Sequence, residues 1–166
     1  MGTPLQKVID VIDTHKAFST VYQGDMDLKY ASTGVTQMSI VLGKDFSIEP
    51  IYDYGDVEEI DGESDSGVGD NMEDFLSIIG YSVSPDMTER ETYLAGLYAT
   101  RNFLFSEHEE LTRKAVNFKT INFAVHGLTE RAKEYMRMVW WIDNEIKHVV
   151  NQIQEASGSS SAMGSV

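Results

Sequence analysis

The chain contains no cysteine. Disulfides, thiolate nucleophiles and cysteine-ligated zinc are therefore excluded, and an intracellular origin fits. No apolar run reaches the ~18 residues that a membrane-spanning helix needs. The N-terminus lacks a basic region followed by an apolar stretch, so no signal peptide is expected. Gln6 stands where N-myristoylation requires Ser or Thr. The most informative absence is of positive charge. Residues 45–89 carry fourteen acidic side chains and no Lys or Arg. The other positions hold thirteen acids against thirteen bases, so this stretch accounts for the whole net charge of -14. Such a segment cannot bind phosphate backbones. It repels DNA, attracts a basic partner or a cation, or stays solvated.

What is present suits a single domain: 166 residues, 42% of them apolar, are enough for one core. Thr3-Pro4 reads as N-cap and first helical residue. Leu5, Val8, Ile9 and Ile12 then share one face of a short helix. Gln23-Gly24-Asp25 breaks the chain. Over residues 27–44, Tyr30, Met38, Ile40, Val41 and Leu42 favour a helix, while Ser32-Thr33-Gly34 and the β-branched run favour extended pieces; the balance predicts a helix. From 51 to 71 apolar residues thin out and glycine recurs at 55, 62, 67 and 69, which predicts a long acidic loop over about 52–71. One or two helical turns are predicted at 72–79 and a turn region at 80–86.

Thr88-Glu89-Arg90-Glu91 is a capping box, in which a Thr hydroxyl and a Glu carboxylate satisfy each other's backbone donors. Leu94, Leu97, Tyr98, Arg101, Leu104 and Phe105 follow at helical spacing, predicting a helix over 88–108 with further turns toward 114. Residues 117–125 alternate loosely and predict a short extended link. Leu128, Ala132, Tyr135, Val139, Ile142, Ile146, Val149 and Ile153 then step by four and three, a sustained heptad seam. The helix they predict begins at Gly127 or Thr129, ends at Ala156-Ser157-Gly158 and is roughly 40 Å long at ~1.5 Å per residue. The fold class is mainly α: a helical bundle with a long C-terminal helix, a short extended link and a long acidic loop. It forms one domain over 1–156, followed by a flexible Ser/Gly-rich tail at 157–166.

Candidate chemistry is sparse. Glu145 and His148 have the i, i+3 spacing of a di-iron bundle site, but such a site needs two copies, and a surface helix face is the better reading. Asp61, Glu63 and Asp65 are spaced like the first ligands of a calcium loop, yet Ser66 stands where glycine is required and Met72 where the bidentate Glu is required. Glu107-His108-Glu109-Glu110 is not a zinc-protease motif, because no second histidine follows. Gly67-Val68-Gly69 lacks a third glycine. His15, His108, His126 and His148 lie far apart in sequence. No catalytic residue, metal or cofactor is assigned. Trp140 and Trp141 point about 100° apart on a helix, so both are buried only if the helix is covered on two sides. Core packing of both is the plainer reading; an aromatic anchor at a subunit interface is the alternative.

The order of these elements carries a resemblance. After Thr88-Glu89-Arg90-Glu91 comes Tyr93-Leu94-Ala95-Gly96-Leu97-Tyr98-Ala99, then Phe103-Leu104-Phe105, then Phe118-Lys119-Thr120-Ile121-Asn122-Phe123, then Leu128-Thr129-Glu130-Arg131-Ala132 opening the last helix. This pattern, over about 72–155, resembles the head–tail connector (adaptor or neck) proteins of tailed bacteriophages. The resemblance implies a virion structural protein of the phage neck, made in the host cytoplasm, and not an enzyme. Its subunits would form a ring, dodecameric in the family, below the portal protein. The ring would extend the DNA channel and join the capsid to neck or tail proteins, with DNA passing through unbound and no membrane involved. Asp56, Glu58, Glu59, Asp61, Glu63 and Asp65 would then be channel or rim residues, where like charge removes the phosphate-neutralising contacts that create affinity. The alternative class is an acidic helical regulatory or DNA-mimic protein that captures a basic partner. A mimic should spread its acids over helices, whereas here they concentrate in a Gly-rich stretch.

Overall fold

A computed structural model describes residues 2–15, 24–54, 76–117 and 122–161. The elements run β1 (Thr3–Pro4), α1 (Gln6–His15), α2 (Gly24–Leu42), β2 (Ser47–Tyr54), β3 (Leu76–Ser84), α3 (Glu89–Asn117) and α4 (Asn122–Ser161). The protein is mainly α, a bundle of four helices with a small sheet against one end.

The core is where the helical faces meet. Val8 and Ile12 of α1, Ala31, Val35 and Met38 of α2, and Leu94, Leu97 and Leu104 of α3 are buried together with Val139, Ile142, Ile146, Val149 and Ile153 of α4. The heptad seam thus faces inward along most of its length, with Tyr135 and Leu128 half-buried. Arg101 of α3 donates to Asp143 of α4 at 2.5 Å. One end of α3 also lines a groove with the early part of α4, so the two helices run antiparallel. α2 crosses α3 at close range. A methyl on Gly34 would run into the Ala95 carbonyl and the Ala99 side chain, so the crossing depends on a residue without a Cβ. Tyr30 meets Phe103 edge to face at 5.6 Å beside it. α2 ends in a Schellman turn: Gly43 takes a φ of 61° and the Lys44 amide donates to the Ser39 carbonyl.

The capping box forms as the sequence predicts. The Glu91 carboxylate accepts from the Thr88 amide and hydroxyl, both at 2.8 Å, and the Glu91 amide donates to the Thr88 hydroxyl at 3.3 Å. The other carboxylate oxygen accepts from Lys44, which ties the end of α2 to the start of α3. Burial pushes the Glu91 pKa up, but the Lys44 and Thr88 hydrogen bonds outweigh it and hold the carboxyl below its ordinary value.

Five sequence expectations are corrected. Thr3-Pro4 is not a helix start but a short strand paired with β3, because the Thr3 hydroxyl accepts the Met87 amide at 2.8 Å instead of capping α1. The loop expected from 51 does not include residues 51–54, which complete β2, and the rest of it lies outside the described residues. Of the stretches expected as turns at 72–79 and 80–86, residues 76–84 form β3 instead, whose β-branched Ile78, Ile79 and Val83 suit a pleated strand, while 72–75 lie outside the described residues. The link expected over 117–125 is helical at Asn117 and again from Asn122, so α4 starts well before Gly127. At its other end α4 runs past Gly158 to Ser161, and its 40 residues span about 60 Å.

The sheet order is β1-β3-β2, antiparallel throughout. β2 and β3 form a long hairpin. Near its base Ile48 pairs with Val83 and Pro50 with Tyr81, and Phe46, Ile48, Tyr81 and Val83 join the core. Pro50 lies on an edge strand, where a missing amide breaks no ladder bond. A register shift between Ile51 and Tyr52 re-aims the outer half, placing Tyr52 opposite Ile78. In that outer half Ile51, Tyr52, Ile78 and Ile79 are exposed.

Candidate functional site

α4 buries one seam and exposes a tryptophan on each side of it. Trp140 is 70% exposed and Trp141 is 49% exposed, so the expectation that both pack in the core is corrected. The seam residues Val139 and Ile142 take the inward direction, and positions 140 and 141 fall on its two flanks, which the neighbouring helices cover only in part.

On one flank Trp141 stacks obliquely on His15, the last residue of α1, at 5.8 Å between ring centres; Tyr93 of α3 approaches the same imidazole at 6.4 Å. His15 Nε2 is buried without a hydrogen-bond partner among the described residues. Burial pushes its pKa down, with the Glu145 carboxylate opposing the shift. Burial pushes the Tyr93 hydroxyl up, and Glu145 adds to that. The imidazole is packed between rings, which fixes the end of α1 against α3 and α4.

The other flank holds an open groove of about 540 Å³ between α3 and α4. His108 and Thr112 line it from α3, and Ala132, Lys133, Met136, Arg137 and Trp140 from α4. Its floor is apolar and its rim is cationic. Lys133 also reaches Glu130 on the outer surface of α4 at 2.8 Å. Arg137 forms no ion pair among the described residues. Beside the groove, burial pushes the Glu107 carboxyl up; Glu110 adds to the shift and Lys114 opposes it.

A third apolar surface is the outer hairpin. Ile78 and Ile79 are 52% and 64% exposed, and Ile51 and Tyr52 are exposed on the paired strand. This surface is not among the sites expected from the sequence. The signal that points to it is the run Leu76-Ser77-Ile78-Ile79-Gly80-Tyr81-Ser82-Val83, where β-branched and aromatic residues alternate with small ones.

Asp56, Glu58, Glu59, Asp61, Glu63 and Asp65 lie outside the described residues, as does most of the acidic stretch. Glu145 and His148 do not converge on a common point: His148 bonds to Gln152 at 2.8 Å, while Glu145 acts on His15 and Tyr93. Among the described residues no three His, Asp or Glu side chains gather as a metal site. No described helix is long and apolar enough to cross a membrane. In comparison with known proteins, the chain matches no family model, no curated protein and no solved structure.

Proposed function

We propose that the chain is a structural subunit of a bacteriophage head–tail connector, assembling with other copies into a ring below the portal and joining the capsid to the neck or tail. The observation that carries this reading is the unsatisfied apolar surface of a well-packed helical domain. Trp140 and Met136 on one flank of α4, Trp141 on the other, and the isoleucines of the hairpin are all exposed. Contiguous apolar surface of this kind marks interaction sites, and Trp is the residue most enriched at interface anchors. A subunit with separate sticky surfaces at different places suits a ring, in which each copy meets two neighbours and the layers above and below.

The acidic stretch fits the same reading. In a ring its central residues, Asp56 to Asp65 in part, would face the channel or an exposed rim and let DNA slide without adhesion. A DNA mimic is less well supported, because α3 and α4 interleave acids with bases, as in the pairs Lys114–Glu110 and Lys133–Glu130.

Affinity-tagged chain, expressed during infection by the phage that encodes it, should co-purify with portal and tail components and label the neck of purified particles. Recovery of the chain only in free form or with a soluble basic host protein would overturn the proposal in favour of the regulatory alternative.

A further inference from the structure

We propose that the outer half of the β2–β3 hairpin of one copy seats in the α3–α4 groove of the next copy, head to tail. The inference rests on the ring-subunit reading and names the contact that builds the ring.

Two surfaces on the chain complement each other and do not meet within one molecule. The hairpin tip presents Ile51, Tyr52, Ile78 and Ile79 to solvent. The groove presents Ala132, Met136 and Trp140 as an apolar floor. Its volume of about 540 Å³ accommodates more than one such side chain. Burying these groups against each other removes apolar area from water at roughly 25 cal/mol per Å² before association costs are subtracted.

Charge selects the occupant. The two strands of the hairpin carry Glu49 and Asp53 and no base, within a stretch, 45–89, of fourteen acids and no base. The groove is lined by Lys133 and Arg137 and by no carboxylate. Glu130 offsets Lys133, so Arg137 carries most of the groove's positive charge, which favours an acidic, apolar hairpin over a basic partner. The chain itself supplies such a hairpin. β2 pairs with β3 and β3 with β1, and none of the residues that line the groove belongs to the hairpin, so the contact is placed between copies. Because the two surfaces differ, the interface is heterologous, and repetition of a heterologous contact closes a ring or runs on as a filament. Its electrostatic part is screened by salt.

Two variants separate the partners. Lys133→Glu with Arg137→Glu reverses the groove, and Ile78→Ser with Ile79→Ser strips the hairpin; all four positions are exposed, so both variants should fold with wild-type circular dichroism. Sedimentation velocity from micromolar to millimolar protein at low salt reads the assembly. Wild type should self-associate, and each variant alone should do so at least tenfold more weakly. Mixed together, the variants should give one-to-one dimers and nothing larger, because the mixture holds one intact groove and one intact hairpin per pair. Unchanged self-association of either variant, or no dimer on mixing, overturns the inference while leaving the ring reading intact if wild type still forms rings. Wild type that stays monomeric at millimolar concentration and also fails to join purified portal overturns both.

Discussion

Replacing Ile142 with Ala tests the core assignment at its centre. Ile142 is 1% exposed and sits between Val139 and Ile146 on the buried seam. The substitution removes three carbons from a site walled by α3 and the rest of the seam. Large-to-small changes at such sites cost about 2–5 kcal/mol, the transfer free energy of the lost carbons plus the cavity they leave. Ile146 is nearly as buried, and Ile146→Ala belongs in the same range. For a domain of this size about 1 kcal/mol lowers Tm by roughly 2–4 °C, so each variant should melt about 4–20 °C lower. Trp140→Ala is the control. Its side chain is far larger but mostly in solvent, and surface substitutions usually fall within ~0.5 kcal/mol. Urea unfolding followed by circular dichroism gives all three values. Losses below about 1 kcal/mol at both isoleucines, or a larger loss at Trp140 than at Ile142, would refute the inward orientation of the seam.

Gly34→Val should destabilise by more than about 1–3 kcal/mol, since the added carbons meet the Ala95 carbonyl and must push α2 off α3; a wild-type melting curve would contradict the close crossing. Glu91→Gln should lower stability at neutral pH. The Glu91 pKa is depressed in the fold, so its contribution is present above the unfolded value of ~4.3 and is lost as pH falls through the folded value; wild type and variant should therefore converge in stability only once pH has fallen below that folded value. His15 has its pKa depressed by burial, so the fold favours the neutral ring and loses stability as pH falls below the unfolded value of ~6.5. His15→Phe should flatten the change in Tm between pH 7 and 5, and an identical slope in both proteins would contradict the buried placement. Changing Asp56, Glu58, Glu59, Asp61 and Glu63 to Asn or Gln should leave folding intact and, if these residues line the channel of the proposed connector, slow DNA ejection from particles, most at low salt; wild-type assembly together with wild-type ejection at every salt concentration would mark the charge as a solvated loop.

The parts of the fold legible in the sequence are those whose signal is local. The capping box at Thr88 and Glu91 needs four residues, and the α4 seam repeats its own evidence over several heptads. The balance at residues 27–44 resolves toward α2 because Tyr30, Val35 and Met38 gain burial on one face, while Ser32, Thr33, Thr36 and Ser39 satisfy their hydroxyls on carbonyls four residues back. What was not legible is non-local. β2 and β3 pair across residues 55–75, so neither strand carries a turn signal beside it, and a short apolar run such as 76–79 reads equally as helix. β1 is two residues long and is specified by β3, not by its own composition. The ends of α4 escaped because its outer turns lack the apolar period that marks the seam. The groove was invisible for another reason: it needs His108 and Thr112 of α3 beside Met136 and Trp140 of α4, a juxtaposition set by antiparallel packing.

The central claim is that this chain is a ring-forming connector subunit, and native mass spectrometry of the chain assembled with the portal protein of the same phage tests it most directly. The account predicts a single closed complex in which an integral ring of copies, twelve by the family pattern, is bound to the portal oligomer, and its loss when Trp140 and Met136 are both replaced by Ser. A spectrum showing only free monomer and free portal, at concentrations where the portal itself is intact, would contradict it.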